Sequence, residues 1–475
     1  MLPPLPSQLP RRVFDGFGYS TRSVSGFVEA HSVADVQAAF RYAGEHGLTV
    51  GLRGAGRSYG DAAMNGGGIV LDTRSMNRVL AWDPTTGVAD VEPGVTIEDL
   101  WRRFLKDGWW PAVVPGTMFP TLGGVAAMNV HGKNCFKVGP WGDHILEADL
   151  AAPDGNVYRT SRTENEELFN AAIGGFGMLG AFSRLRIKLK RVHSGRVRVR
   201  GHYCRNLAEQ FDWFEEYTAK SDYCVSWVDC IAGGDALGRG QPHSAVYLAE
   251  GEDRSPDFDP ARQDLPGHIL GVPRALVGTI LARFNTNLGM RLLNIGKDLA
   301  ARFGPKSEVL QAHVAFNFLL DYVPTFRDAY RPHGFVQYQP FVPRESAREV
   351  FTNILRLTQA RGVPSYLGVL KRHRPDEFLL SHGIDGYSFA LDFPVTPDNR
   401  AVLWKTLHEA SDMVCEAGGR FYPAKDALLR PDHFQRAWGQ ARISRFNALR
   451  AMVDPDRRLR TDLAARFGLC PTSEA

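Results

Sequence analysis

At 475 residues the chain is long for one domain, and two domains sharing a cleft are the expected solution. A content of 44% hydrophobic and 23% charged residues is that of an ordinary globular protein, and 56 basic against 52 acidic residues, a net charge of +4, excludes the basic face of a nucleic-acid binder. The six cysteines, at 135, 204, 224, 230, 415 and 470, form no Cys-x-x-Cys and no Cys/His spacing suited to zinc, so reduced structural thiols and no metal are expected.

The first residues, Met1-Leu-Pro-Pro-Leu-Pro6, lack a basic region followed by a long apolar core, and no window reaches the ~18 apolar residues of a spanning helix. Neither a secretory signal nor a transmembrane helix is expected, which places the protein in the cytoplasm or peripherally at the inner membrane. Apolar residues at helical spacing predict a helix over 31–43, stopped by Gly47, with a strand starting at Leu48-Thr-Val50. Strands are predicted at 68–71, 88–91 and 148–152, with a helix over 97–108. A first domain therefore spans 1–192. The stretch 185–200 alternates apolar and cationic residues, as a half-exposed strand does, and marks the crossing into a second domain over 193–417. There 335–339 and 387–393 read as strands and 345–360 and 397–417 as helices, an antiparallel α+β arrangement. Gly418-Gly419 turns the chain, and 418–475 is expected to return to the first domain. The predicted fold class is α+β with two domains.

Two glycine-rich runs carry the chemistry. In Gly51-Leu-Arg-Gly-Ala-Gly-Arg-Ser-Tyr-Gly-Asp61, glycines at 51, 54, 56 and 60 let backbone N–H groups curl around an anion, while Arg53, Arg57 and Ser58 add charge and a hydroxyl for a diphosphate. The spacing fails G-x-G-x-x-G, which disfavours a nicotinamide fold. The second run, Pro115-Gly-Thr-Met-Phe-Pro-Thr-Leu-Gly-Gly-Val125, precedes Asn129-Val-His-Gly-Lys-Asn134, and together the runs read as a flavin site.

This pattern resembles the vanillyl-alcohol-oxidase superfamily with its PCMH-type FAD-binding domain. Besides the loops, the resemblance rests on Asn65-Gly-Gly-Gly68, Gly334-Phe-Val-Gln-Tyr-Gln339, Lys371, Asp392-Phe-Pro394 and Tyr422-Pro-Ala-Lys-Asp426, and it covers about 14–469. It implies FAD, held by Arg53, Gly54, Ala55, Gly56, Arg57, Ser58, Tyr59 and Gly60, by Gly116, Thr117, Thr121, Leu122, Gly123 and Gly124, and by Met128, Asn129, Val130, His131, Phe182 and Tyr422. Relatives that bind flavin covalently carry a histidine where this chain has Arg57, so FAD is expected to be non-covalent.

By the same resemblance Lys425 is the leading catalytic candidate, an ammonium that stabilises charge on the reducing flavin. His131 is expected to orient a substrate hydroxyl or assist proton removal, and Tyr59 to stand beside them. Lys133, Gln337, Gln339, Lys371, Ser388, Ala390 and Lys425 are expected to surround the substrate. One member carries a cysteine at the position of Ala390, which strand alternation from Ser388 allows to face the flavin.

The implied activity is oxidation of a sugar secondary alcohol, most specifically the ribose 2-hydroxyl of a polyprenyl-phosphoribose to the 2-keto sugar. A short-chain reductase would complete the epimerisation to arabinose. Two alternatives stay open: an aldonolactone or other free-carbohydrate oxidase, and a non-catalytic flavin-binding protein. Finally, 268–304 mixes apolar runs with Arg274, Arg283, Arg291, Lys297 and Arg302, a pattern shared by membrane-surface helices and by helices packed over a domain.

Overall fold

The structure, a computed structural model, describes residues 9–269, 272–303, 307–323 and 325–470. Of the sequence-based expectations, Met1–Pro6 and, within 268–304, Leu270, Gly271 and Gly304 lie outside the described residues. The N-terminal part builds two sheets. In the first, Arg22–Glu29 pairs antiparallel with Arg11–Asp15 and parallel with Ile69–Asp72, which in turn lies parallel to Val50–Arg53. Parallel neighbours need a crossover, and the helix Val33–Glu45 is part of it. Ser32 caps that helix by accepting from the Asp35 N–H, and Val36, Ala39, Phe40 and Ala43 bury one face at helical spacing. The second sheet is antiparallel, in the order Val79–Asp83, Val88–Val91, Ala181–Lys188, Ile145–Ala151 and Val157–Ser161. The helix Ile97–Phe104 opens on a Thr96/Asp99 capping box and continues as one tight turn to Asp107.

The stretch 185–200 does not run as one strand. Its first half ends Ala181–Lys188 in the second sheet, while Arg196–Gly201 belongs to a different, nine-stranded sheet. Between the two, Lys190–Arg191 pairs with Trp109–Trp110, and Gly195, where the Asp257 carbonyl occupies the place of a Cβ, immediately precedes the new strand. Alternation is interrupted between them, by the consecutive exposed Lys190 and Arg191 and by Val192 on the opposite phase, and this is the trace that the change of sheet leaves in the sequence.

The large sheet begins Val309–Ala312, Arg196–Gly201, Gly240–Tyr247, Tyr223–Val228, Leu367–His373 and Gly386–Pro394. Beyond these, Gly386–Pro394 pairs with both Phe335–Tyr338 and Pro340–Pro343, the latter reaching Arg420–Phe421. The helices Arg344–Ala360 and Arg400–Glu416 pack on it, leaving Gly386–Pro394 buried at almost every position. The chain end lies against the first sheet, where Val50 N–H donates to Arg458 O (2.7 Å) and Arg460 N–H donates to Val50 O (3.0 Å).

Two helices, Arg274–Ala282 and Asn287–Phe303, behave unusually. The second turns Asn294 and Asp298 inward, where Asn294 donates to Asp229 (2.7 Å) and Asp298 meets Arg239 (3.0 Å). Its Leu288 (69% exposed), Leu292 (56%) and Phe303 (84%) face outward. Among the described residues no helix is long and apolar enough to cross a membrane.

Arg466 joins the chain end to the glycine loop and to the turn holding Lys425. It meets Asp61 at 2.7 Å and Asp426 at 2.5 Å and donates to Leu429 O at 2.9 Å. Burial alone would lower its pKa, but Asp426 and Asp61 outweigh that and raise it. Arg466→Ala leaves two buried carboxylates without their cation and should cost ~3–5 kcal/mol in chemical denaturation. A cost under ~1 kcal/mol, the size of an exposed pair, would show that the clamp is idle.

Candidate active site

A cavity of about 630 Å³ runs from the glycine loops across one face of the nine-stranded sheet. The glycine loop emerges from the strand Val50–Arg53. A Cβ on Gly54 would overlap the Thr121 side chain, and Gly56, at φ +63°, lies against the Arg53 guanidinium, so neither position admits another residue without displacement. Arg53 donates to Ala63 O at 2.9 Å and stands 5.1 Å over the Phe14 ring. Arg57 rests between Phe17 (5.4 Å) and Phe119 (4.8 Å), its Nε without a hydrogen-bond partner. Among the described residues neither arginine has a carboxylate within salt-bridge distance. Burial, then Arg327, lowers the Arg57 pKa, against the pull of Asp321. Two partly buried cations without counter-ions, in a cradle walled by glycine, fit a diphosphate. Gly124 meets only Thr121 Oγ, 3.5 Å from where a Cβ would sit.

At the other side of this loop the turn Tyr422–Lys425 is fixed from two directions. Tyr422 N–H donates to Gln339 O (3.1 Å), and Tyr59 N–H donates to Ala424 O (2.8 Å). The Lys425 ammonium lies 3.6 Å from the centroid of the Tyr59 ring, a cation–π seat. Burial holds Lys425 well below the usual lysine range, with Asp392 opposing and Lys371 adding to the shift. Burial raises Asp392, which accepts from the Gln337 amide. Burial also lowers Lys371, to about 8. The Tyr59 hydroxyl, turned toward Gln337 without a hydrogen bond of normal geometry, is raised far above the ordinary phenol value by burial and then by Asp392. It therefore stays a neutral phenol.

His131 follows Asn129, which adopts a left-handed backbone at φ 41°. Its Nε2 accepts from the Gln339 amide at 3.0 Å, while its buried Nδ1 has no partner in the protein. Gln339 also donates to Ser388 Oγ (3.2 Å), which bonds His373 Nε2 at 2.8 Å. Burial first, then the charge of Lys371, keeps His131 neutral, so its proton sits on Nδ1.

Of the residues expected from sequence, most line this cavity, including Arg53 to Tyr59, Gly116, Thr117, Thr121, Phe182, Gln337, Ala390 and Tyr422. Four stand behind its wall. Gly60 is where the loop presses on the Asp426 carbonyl, and Leu122 is core. Asn129 donates to Ser381 Oγ (3.0 Å) and accepts from Gly142 N–H (2.9 Å), and Ser388 serves the Gln339–His373 chain. Lys133 borders the cavity, and its ammonium donates to the carbonyls of Phe316 and Asn317, at the end of the helix His313–Asn317. The Thr117 hydroxyl donates to Asp321 at 2.7 Å. Sequence reasoning missed Asp321, Trp227, His243 and Asn317, and it named Lys297 only as one cation of the basic stretch 268–304. It quoted Asp392 without a role, although alternation from Ala390 puts both on one face.

Residues 24–161 match a family model described as an FAD binding domain. Over 440 residues the chain is 32% identical to the decaprenylphosphoryl-β-D-ribose oxidase of Mycolicibacterium smegmatis, spanning 91% of this chain and 92% of that one. It is 27% identical over 384 residues to an uncharacterized protein of Streptomyces coelicolor, covering 79% of this chain and 100% of that one. Similarity to cytokinin dehydrogenase 2 of Arabidopsis thaliana, 29% over 261 residues, covers only 54% of this chain and 49% of the other. FAD is thus the cofactor for which the unpaired arginines and glycine walls are built, and this chain belongs to the decaprenylphosphoryl-β-D-ribose oxidase family of FAD-dependent oxidoreductases.

Proposed function

We propose that the protein oxidises the ribose 2-hydroxyl of a polyprenyl-phosphoribose to the 2-keto sugar, the first half of an epimerisation to arabinose that a short-chain reductase completes. The observation that carries this reading is the convergence of Lys425 and His131 on one cavity with the glycine loop, in a chain whose likeness to the ribose oxidase extends through the substrate-side sheet. Bound FAD supplies the hydride acceptor. His131, with its proton on Nδ1 and its Nε2 taken by Gln339, donates to a substrate oxygen and so positions the sugar. Lys425, seated on Tyr59 and drawn toward Asp392, keeps a positive charge where negative charge develops.

We read the cofactor as non-covalent, because the Arg57 guanidinium is a poor nucleophile and its neighbours offer no histidine or cysteine in the loop. Acid denaturation should release intact FAD into the supernatant, and Arg57→Ala should bind it more weakly. Flavin that stays with the precipitate would refute this.

Anaerobic addition of farnesylphosphoryl-ribose to the holoenzyme should bleach the visible flavin band, while a free aldonolactone should leave it unchanged. The reverse preference would favour a free-carbohydrate oxidase. Lys425→Ala should slow single-turnover reduction on the order of a hundredfold, about 3 kcal/mol of barrier, and Lys425→Arg should recover little. Because the useful form of Lys425 is protonated, wild-type reduction should decline as pH rises through its lowered pKa, below the usual lysine range. A rate flat to pH ~10, the ordinary lysine region, would mean that Lys425 charge is not used.

The outward leucines of Asn287–Phe303 support peripheral contact with a membrane surface. Vesicles of phosphatidylcholine and phosphatidylglycerol should co-sediment the wild type, and Leu292→Glu combined with Phe303→Glu should abolish this. Equal sedimentation of both would remove the surface from consideration.

A further inference from the structure

Lys297 is a cation of the cavity that the chemistry above leaves unused. It projects from Asn287–Phe303, an exposed residue whose ammonium lies 4.0 Å from the centroid of the Trp227 ring. The carboxylate on that side, Asp229, is already paired with Arg239 at 3.0 Å and bonded by Asn294 at 2.7 Å. Among the described residues Lys297 has no salt bridge and no hydrogen bond. Both Lys297 and Trp227 line the cavity, as does Asn317, which is 1% exposed and whose side-chain amide makes no hydrogen bond of normal geometry within the protein.

The sheet register places this group relative to the reacting end. Trp227 pairs with Val369, and Val369 with Ala390, so the three lie in one row across adjacent strands. Trp227 is therefore two strand spacings, about 10 Å, from Ala390. The other cations of the cavity stand elsewhere: Arg53 and Arg57 at the glycine loop, Lys371 and Lys425 near His131, and Lys133 on two carbonyls. An ammonium on an indole face with an adjoining free amide is a receptor for an anion carried by a partly apolar molecule.

We infer that Lys297 on Trp227, with Asn317, forms the phosphoryl subsite of the substrate cavity. The inference rests on the phosphoryl-sugar reading above and adds where the phosphoryl group binds. Lys297 positions the substrate and takes no part in hydride transfer. Since it belongs to the helix with outward leucines, the group that recognises the phosphoryl moiety and the surface suited to lipid are one rigid element.

The test uses the holoenzyme, with calorimetric titration of farnesyl phosphate and of inorganic phosphate and with single-turnover reduction by farnesylphosphoryl-ribose and by phosphoryl-free farnesyl riboside. Lys297→Gln should weaken farnesyl phosphate about tenfold or more and raise the substrate concentration for half-maximal reduction by a similar factor, with the limiting rate little changed. It should narrow the preference for the phosphoryl substrate over the riboside by the same factor, and Lys297→Arg should restore most of the loss. Unchanged farnesyl phosphate affinity in Lys297→Gln would overturn the subsite. Inorganic phosphate binding as tightly as farnesyl phosphate would overturn its assignment to an esterified phosphoryl group. Should Lys297-dependent binding of farnesyl phosphate hold while neither sugar reduces the flavin, the subsite stands and the ribose reading falls.

Discussion

Arg466, pinned between Asp61 and Asp426, fixes the spatial relation on which the site depends. Tyr59 and Lys425 are hundreds of residues apart, yet one must sit beneath the other. The planar guanidinium makes four hydrogen bonds at once, a bidentate pair to Asp61 and one each to Asp426 and the Leu429 carbonyl, one more than the three N–H groups of a lysine could supply. Around it the backbone closes further, with Tyr59 N–H donating to Ala424 O and Gly60 pressed on the Asp426 carbonyl. A side chain at Gly60 would push the loop away from the turn, and the cation–π seat of Lys425 would open. The clamp thus matters less for the net stability of a buried ion pair than for the geometry it enforces.

Charge along the cavity follows from what each cation is allowed to touch. Arg53 and Arg57 keep only aromatic faces and backbone for company, so their charge is available to a diphosphate. Lys371 lowers the proton affinity of Lys425, both lower that of His131, and Asp392 opposes the shift at Lys425. The result is a neutral imidazole beside a cation that burial has made easy to discharge. That pairing suits a site where an alcohol must be oriented by a donor while charge accumulates nearby.

The glycine loop was legible in the sequence because part of its requirement is local: Gly56 answers a positive φ and the Arg53 guanidinium three residues back. The strands Val88–Val91 and Gly386–Pro394 were legible for the same reason, as each declares its period or its burial. Long-range commitments left no such trace. Nothing in His131-Gly-Lys-Asn134 tells that the lysine head donates to the carbonyls of Phe316 and Asn317, or that Asn129 braces Ser381. Trp227 and Lys297 are separated by seventy residues and meet only because a helix crosses the sheet. By contrast the change of sheet within 185–200 is legible, since the alternation is interrupted at Lys190-Arg191.

The helix Asn287–Phe303 shows most clearly how pattern and placement differ. An amphipathic helix is ordinarily read with leucines inward, worth ~1.5–3 kcal/mol for each large apolar side chain removed from water. Here the inward positions are taken by Asn294 and Asp298, because Asp229 and Arg239 below them form a buried polar cluster that needs those partners. Satisfying that cluster fixes the helix rotation, and the same rotation carries Lys297 onto Trp227 and turns Leu288, Leu292 and Phe303 outward. The apolar stripe therefore follows from the demands of buried charge, and the gain of covering it is left to whatever surface the protein meets.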